Sequence, residues 1–233
     1  MTRSLSPITQ TRRWHRLLMW VVGLQMVIWA ISGSYFALMN IHFIHGDHLV
    51  TPPARPLTAE SYTVPFSEIR ARYPDATDFS LTQIADQPVI RLTYQDQLRL
   101  LDPQTGEPLP PVSESLAKRI GQQAYQGSGT LSAVTLLTDT APSELSPRFL
   151  PAWRLDYDDW GQTSLYISQS SGELVTKRHR YWRWFDQLWY LHILDYDDGE
   201  DLNNLLLRTA AWLALAGTLS GALLLWFRLR RRS

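Results

Sequence analysis

Cysteine is absent from the 233 residues, which excludes disulfides, zinc thiolates and cysteine-ligated iron–sulfur clusters. Net charge is missing too. The 22 basic and 22 acidic residues cancel, the pI is about 7.0, and no nucleic-acid partner is suggested. Acids are wholly lacking towards the two ends, since all 22 fall between Asp47 and Asp201. Within those ends lie two runs with no charge of either sign, Leu17 to Met39 and Thr209 to Phe227. At ~1.5 Å of rise per residue, each is long enough to cross a hydrocarbon core of roughly 30 Å. The expectation is a membrane protein with one large loop between two spans.

Arginines set its orientation. Arg3, Arg12, Arg13 and Arg16 precede the first run, and Arg228, Arg230, Arg231 and Arg232 follow the second. The loop carries 13 basic and 22 acidic residues, but short basic tails decide topology. Both termini are therefore expected to be cytoplasmic, with the loop outside. A cleaved signal peptide fits less well: the apolar run exceeds a usual signal core, and Phe43-Ile44-His45-Gly46 offers no small-x-small cleavage site. Thr11-Arg12-Arg13 is only faintly like a twin-arginine signal.

The loop opens on a proline-rich stem, Thr51-Pro52-Pro53-Ala54-Arg55-Pro56, expected to run extended. After it, Phe66 to Tyr73 reads as a short helix between Pro65 and Pro74. Phe79 to Ile84, Val89 to Tyr94 and Leu98 to Leu101 read as strands, the last entering the turn Asp102-Pro-Gln-Thr-Gly106-Glu107. The same order recurs: a helix at Glu114 to Tyr125, strands at Leu131 to Leu137, Ala152 to Tyr157 and Ser164 to Ile167, then Ser168-Gln-Ser-Ser-Gly172-Glu173. Pro88-Val-Ile-Arg91-Leu92-Thr-Tyr94 aligns with Pro151-Ala-Trp-Arg154-Leu155-Asp-Tyr157, so the loop contains an internal repeat. Each closing glycine suits a turn that needs one residue at positive φ. No catalytic constellation appears. Asp156, Asp158 and Asp159 can be read as a cation site, or as solvated residues of a hairpin tip around Trp160-Gly161.

Ahead of the second run, Arg180 to Asp195 holds three of the ten tryptophans within eight residues and is too polar to span. Trp182, Phe185, Trp189 and His192 fall at helical spacing on one stripe. Tryptophan and tyrosine favour the headgroup zone, so this segment is expected to lie at the outer membrane interface before the chain turns inward at Asp195 to Asn204. Gly217-Thr-Leu-Ser-Gly221, with Ala210 and Ala214 above it, is a small-xxx-small motif for close helix packing, within the monomer more readily than in a dimer. Gln25, midway along the first run, should face protein or cofactor and not lipid.

Two copies of helix, strand, Arg-Leu-x-Tyr strand and turn-closed strand resemble the PepSY domain, a small extracytoplasmic α+β module. In the second turn Ser168 and Ser171 replace Asp and Thr of the family form. The Trp-Arg-x-Phe-Asp-x-Leu-Trp-x-Leu-His run, the pairs Ser32-Gly33 and Ser220-Gly221, and Trp14-His15-Arg16 resemble PepSY-associated transmembrane proteins. Relatives with four spans include inner-membrane reductases of iron–siderophore complexes. The expected fold class is thus membrane α plus α+β: two transmembrane helices flanking a periplasmic loop with two tandem PepSY-like repeats and an interfacial aromatic helix. The expected divisions are cytoplasmic tail 1–16, span 17–41, stem 42–56, repeats 57–111 and 112–177, aromatic helix and turn 178–201, span 202–227 and tail 228–233.

That resemblance implies haem b held by membrane histidines, for which His15, His42, His45 and His192 are the candidates. Six-coordinate haem needs two imidazoles facing each other at one depth. His42 and His45 end the first span on the outer side, at about the level expected of His192, whereas His15 lies roughly 30 Å away. His15 would pair only with its copy in a homodimer or with a second membrane subunit. His42, His45 and His48 also offer an alternative transition-metal set. The leading functional expectation is a component of transmembrane electron transfer or periplasmic iron reduction, with the repeats docking a periplasmic protein or iron chelate. The alternative is a non-enzymatic anchored module that binds or regulates a partner, or an assembly factor.

Overall fold

The computed structural model describes residues 7–51, 62–95, 97–197 and 199–230. The stem from Pro52 onward, Arg3, Arg231 and Arg232 lie outside the described residues. The chain divides into two compact units, Met1–Asn40 with Trp184–Ser233, and Ile41–Arg183.

The first unit is helical. Helix α1 (Pro7–Leu38) contains the first charge-free run except its last residue, Met39, and starts well before it, through Arg12, Arg13 and Arg16. Helix α6 (Leu205–Arg230) contains the second. Both are long and apolar enough to cross a membrane. They run antiparallel, because Met19 of α1 reaches Gly217 while His15, one turn earlier, reaches Gly221. The small-xxx-small motif therefore receives side chains of the same chain, which is monomer packing.

Helix α5 (Arg180–Ile193) starts in the other unit and ends in this one. Three members of its aromatic stripe meet Phe36 of α1: Phe185, Trp189 and His192, with ring centroids 4.8, 6.0 and 5.4 Å away. The last carbonyls of any helix lack intrahelical donors, and apolar surroundings make that costly. Here Gln25 donates to the Leu191 carbonyl (3.2 Å), Trp29 Nε1 to that of His192 (2.7 Å), and Asn204 Nδ2 to that of Ile193 (2.9 Å). The C-terminal end of α5 is fastened to the middle of α1 through Gln25 and Trp29. Gln25 faces protein, as expected. Asn204 also accepts the Leu207 N–H (2.8 Å), so one side chain caps the start of α6 and closes the end of α5.

The second unit is α+β, with two small antiparallel sheets. Helix α2 (Ile41–Ile44) leads into it, and helix α3 (Phe66–Arg72) precedes a sheet of β1 (Asp78–Ile84), β2 (Gln87–Tyr94) and β3 (Gln97–Leu101), in that order. Helix α4 (Glu114–Ala124), capped by Ser113, precedes a sheet of β4 (Leu131–Leu137), β5 (Ala152–Tyr157), β6 (Ser164–Ser168) and β7 (Leu174–Arg178). Alternation along β2 sends Val89 to one face and Ile90 and Leu92 to a second cluster with Ile69 and Tyr73 of α3. Val89, Ile84 and Leu100 join Ala117 and Ile120 of α4 with Leu155, Leu165 and Ile167, so the two sheets share a core.

The repeat extends to the turns. After β3, the Gly106 N–H reaches the Asp102 carbonyl and the Asp102 N–H the Glu107 carbonyl, both at 2.8 Å. After β6, Gly172 and Ser168, with Glu173, make the same two bonds at 2.9 Å. Both glycines have positive φ, 68° and 67°. Asp102 Oδ1 accepts from the Thr105 N–H (3.0 Å) where Ser168 Oγ accepts from the Ser171 N–H (3.2 Å). Thr105 and Ser171 then bond the N–H of Glu107 and Glu173, each at 3.2 Å. Ser168 and Ser171 thus reproduce in the second turn the bonds that Asp102 and Thr105 make in the first.

Candidate functional site

Two histidine sites occupy the helical unit. At one, His15 Nδ1 lies 2.8 Å from Ser220 Oγ, and its Cε1 lies 3.2 Å from where a Cβ on Gly221 would sit. At the other, His192 Nδ1 lies 2.7 Å from Ser32 Oγ, with Cε1 3.8 Å from the corresponding point on Gly33. The roles of the helices are exchanged between the sites. α1 supplies the histidine and α6 the Ser-Gly pair in the first; α5 supplies the histidine and α1 the pair in the second.

Ser32 is fully buried, and Trp29 and Phe36 flank the His192 ring with centroids 6.5 and 5.4 Å away. Ser32 lies roughly 9 Å inside the end of α1 at Leu38, so His192 is within the apolar stretch and not level with its end. The two sites are separated by roughly 26 Å along α1, the rise from His15 to Ser32. Each contains one imidazole. Neither Nε2 has a hydrogen-bond partner among the described residues.

The other candidates belong to the sheet unit. His42 and His45 are exposed; His42 Nδ1 is 3.0 Å from Asp47, which also pairs with Lys177 (3.1 Å). Those bonds from His42 and Lys177 hold the Asp47 carboxyl below its ordinary pKa. His48 stacks on Phe43 at 4.8 Å. Among the described residues no three histidine or carboxylate groups come together to hold a metal ion, so His42, His45 and His48 do not converge into the alternative set. Their side chains project from a short helix and the turn after it, with His42 turned to Asp47 and His48 to Phe43.

The acidic residues of the hairpin tip are tied into the fold. Asp158 accepts the Thr130 N–H and hydroxyl, and Asp159 accepts those of Thr163 (2.8 and 2.6 Å) and the Tyr125 hydroxyl (2.8 Å). Asp156 accepts from Arg154 Nε (2.8 Å) and the Ser164 hydroxyl (2.6 Å).

Three features escape sequence reading. Glu144, in the loop between β4 and β5, takes two bonds from Arg183 (2.7 and 3.1 Å) and one from Tyr166. Burial pushes its pKa up, but Arg183 and Tyr166 outweigh that and hold it below the ordinary value. His179 is 2% exposed, and its Nε2 lies 3.0 Å from the carbonyls of both Phe43 and Ile44. Burial pushes that imidazole down from its ordinary pKa. The third is Trp29, whose only signal is an indole inside an apolar run.

Comparison with protein-family models, curated proteins and solved structures found no match. The chemistry of the donor set is then what bears on a cofactor. His192, anchored through Nδ1 with Nε2 unbonded and the rings of Trp29 and Phe36 beside it, has the character of a haem axial ligand, and His15 shares the anchored Nδ1 and unbonded Nε2. With one imidazole at each level, a six-coordinate haem at either would need its second ligand from another chain.

Proposed function

We propose that the protein is a two-span PepSY-type protein of the bacterial inner membrane, with both termini cytoplasmic and the two sheets periplasmic, that takes part in transmembrane electron transfer or periplasmic iron reduction. His15 and His192 would each give one axial imidazole to haem b, completed by a second copy or another membrane subunit. Haem supplies one-electron chemistry when bound; the protein's part is to hold it at two depths in an apolar setting. The observation behind this reading is the duplicated His–Ser–Gly contact, built with the helix roles exchanged. His42 and His45, exposed and outside those contacts, are not needed by it. The test is an absorption spectrum of detergent-purified protein after haem-supplemented expression. A Soret band with a reduced-minus-oxidised α band, diminished in both His15→Ala and His192→Ala, is expected. Colourless protein would sink the proposal.

A second reading, an anchored binding module, has one observation in its favour. Edge strands β1 and β7 line a cleft of about 1010 Å³ with Gln83, Asp86, Arg91, Phe149 and Val175 on its walls. Under that reading the full-length protein captures its partner equally well when both histidines are replaced.

A further inference from the structure

The two serines can be assigned a role from the count of protons. Ser32 Oγ lies 2.7 Å from the Ile28 carbonyl as well as 2.7 Å from His192 Nδ1. Ser220 Oγ lies 2.8 Å from the Gly217 carbonyl as well as 2.8 Å from His15 Nδ1. A serine hydroxyl carries one proton, and a neutral imidazole carries one N–H on either nitrogen.

With the proton on Nδ1, the ring donates to the serine oxygen and the hydroxyl donates to the carbonyl. Both bonds form and no donor is left over. With the proton on Nε2, the hydroxyl must turn to Nδ1, its bond to the carbonyl is lost, and the Nε2–H has no acceptor among the described residues. At His192, beside the fully buried Ser32, an unpaired donor is costly, and at His15, beside exposed arginines, the second arrangement still forfeits the bond from Ser220 to the Gly217 carbonyl, so the first arrangement prevails at both.

We propose that Ser32 and Ser220 are positioning residues that hold His192 and His15 in the Nδ1–H tautomer, keeping the Nε2 lone pair available for a metal centre. The same relay, imidazole to hydroxyl to helix carbonyl, occurs twice on different helices. Orientation of a ligating imidazole through its other nitrogen is how outer-shell groups tune metal sites. Gly221 and Gly33 leave room for the ring edges beside each serine. The role in metal binding rests on the haem reading above; the tautomer does not.

The test is ¹⁵N NMR of the metal-free, full-length protein in detergent, with histidines labelled and the pH held above imidazole titration. Two resonance sets, assigned by their loss in His15→Ala and His192→Ala, are expected to show protonated Nδ1 and bare Nε2. Ser220→Ala should release the His15 tautomer alone and Ser32→Ala that of His192, while Ser220→Thr, which keeps the hydroxyl, should preserve it. Protonated Nε2 in the unaltered protein overturns the assignment, and so does a tautomer that both alanine variants leave unchanged. The unaltered protein alone decides the first point, so an alanine variant that fails to fold does not protect the idea. In haem-loaded protein each alanine variant should weaken haem retention by ~10- to 100-fold at its own site. Colourless protein with Nδ1–H tautomers would overturn the haem reading and uphold the serine assignment.

Discussion

In the sheet unit, acids turn their oxygens to the fold: Asp156, Asp158 and Asp159, singled out by sequence, hold a hairpin, and Glu144, which was not, gathers Arg183 and Tyr166. In the helical unit, polar side chains are few, and each imidazole uses one nitrogen to anchor itself and keeps the other. A sheet domain in water can close hairpins with surplus polar groups. Between apolar helices a polar group persists only where it closes a backbone carbonyl or faces something bound there. Gln25, Trp29 and Asn204 do the first, and under the haem proposal the Nε2 atoms of His15 and His192 do the second.

The comparison is broken most severely by removing Glu144. Glu144→Ala leaves Arg183 partly buried without its carboxylate and should cost about 3 kcal/mol or more in unfolding of the full-length protein in detergent. The same carboxylate gives the sheet unit an acid limit. Its pKa is lower folded than unfolded, so its contribution is present above about 4.5 and is lost as pH falls through the folded value. His179 acts in a higher window: folded, it takes up a proton less readily than its ordinary 6.5, so stability is full above that pH and declines below it. Melting temperature measured from pH 7 down to about pH 2 should fall in two steps, and Glu144→Gln should diminish the lower one.

Next in size is a difference between the two repeats. Gly172→Ala places a Cβ 2.7 Å from Ile84 Cδ1 at a φ of +67°, whereas at Gly106 the nearest atom is 3.3 Å away, on Val64, at +68°. Positive φ alone costs about 1 to 2 kcal/mol for alanine. The Ile84 contact should bring Gly172→Ala to about 3 kcal/mol and leave Gly106→Ala near 1, a ranking that urea titration of both variants checks. In the helical unit, Trp29→Phe removes one donor from the end of α5 and should cost about 1 kcal/mol. It should speed amide exchange around Leu194 and Asp195 without touching the sheets.

How much of this was legible follows from period and polarity. Strands with clear alternation appear where expected, β4 and β5 to the residue, and the repeat announces its turns through Gly106 and Gly172. β7 does not, because Leu174-Val-Thr-Lys-Arg178 has neither a clean alternation nor a buried face, and every residue in it is half-buried. The aromatic stripe of α5 correctly marks a packing face, yet whether it meets lipid or protein is a tertiary fact that Phe36 decides. His15 and His192 were visible as residue types. That Ser220 and Ser32 hold them depends on helix register, which spacing along one chain cannot supply. His179 and Glu144 carry no local pattern, since the partners of His179 lie over a hundred residues away and those of Glu144 lie on a later strand and helix, β6 and α5.

The smallest effect tests whether the two turns are chemically the same device. Asp102 accepts the N–H groups of Gln104 and Thr105, at 2.8 and 3.0 Å, and Ser168 does the second of these jobs for Ser171. If hydrogen bonding to the turn backbone is what the position requires, Asp102→Ser should shift unfolding by no more than about 0.5 kcal/mol, because a hydroxyl already suffices in the other copy. Asp102→Ala, which keeps neither bond, should cost about 1 kcal/mol. Equal losses for serine and alanine would mean that the charge of Asp102, and not its place in the turn, is what the first copy needs. The two turns would then share a backbone path and not a mechanism, and the repeat would have diverged in the chemistry that closes it.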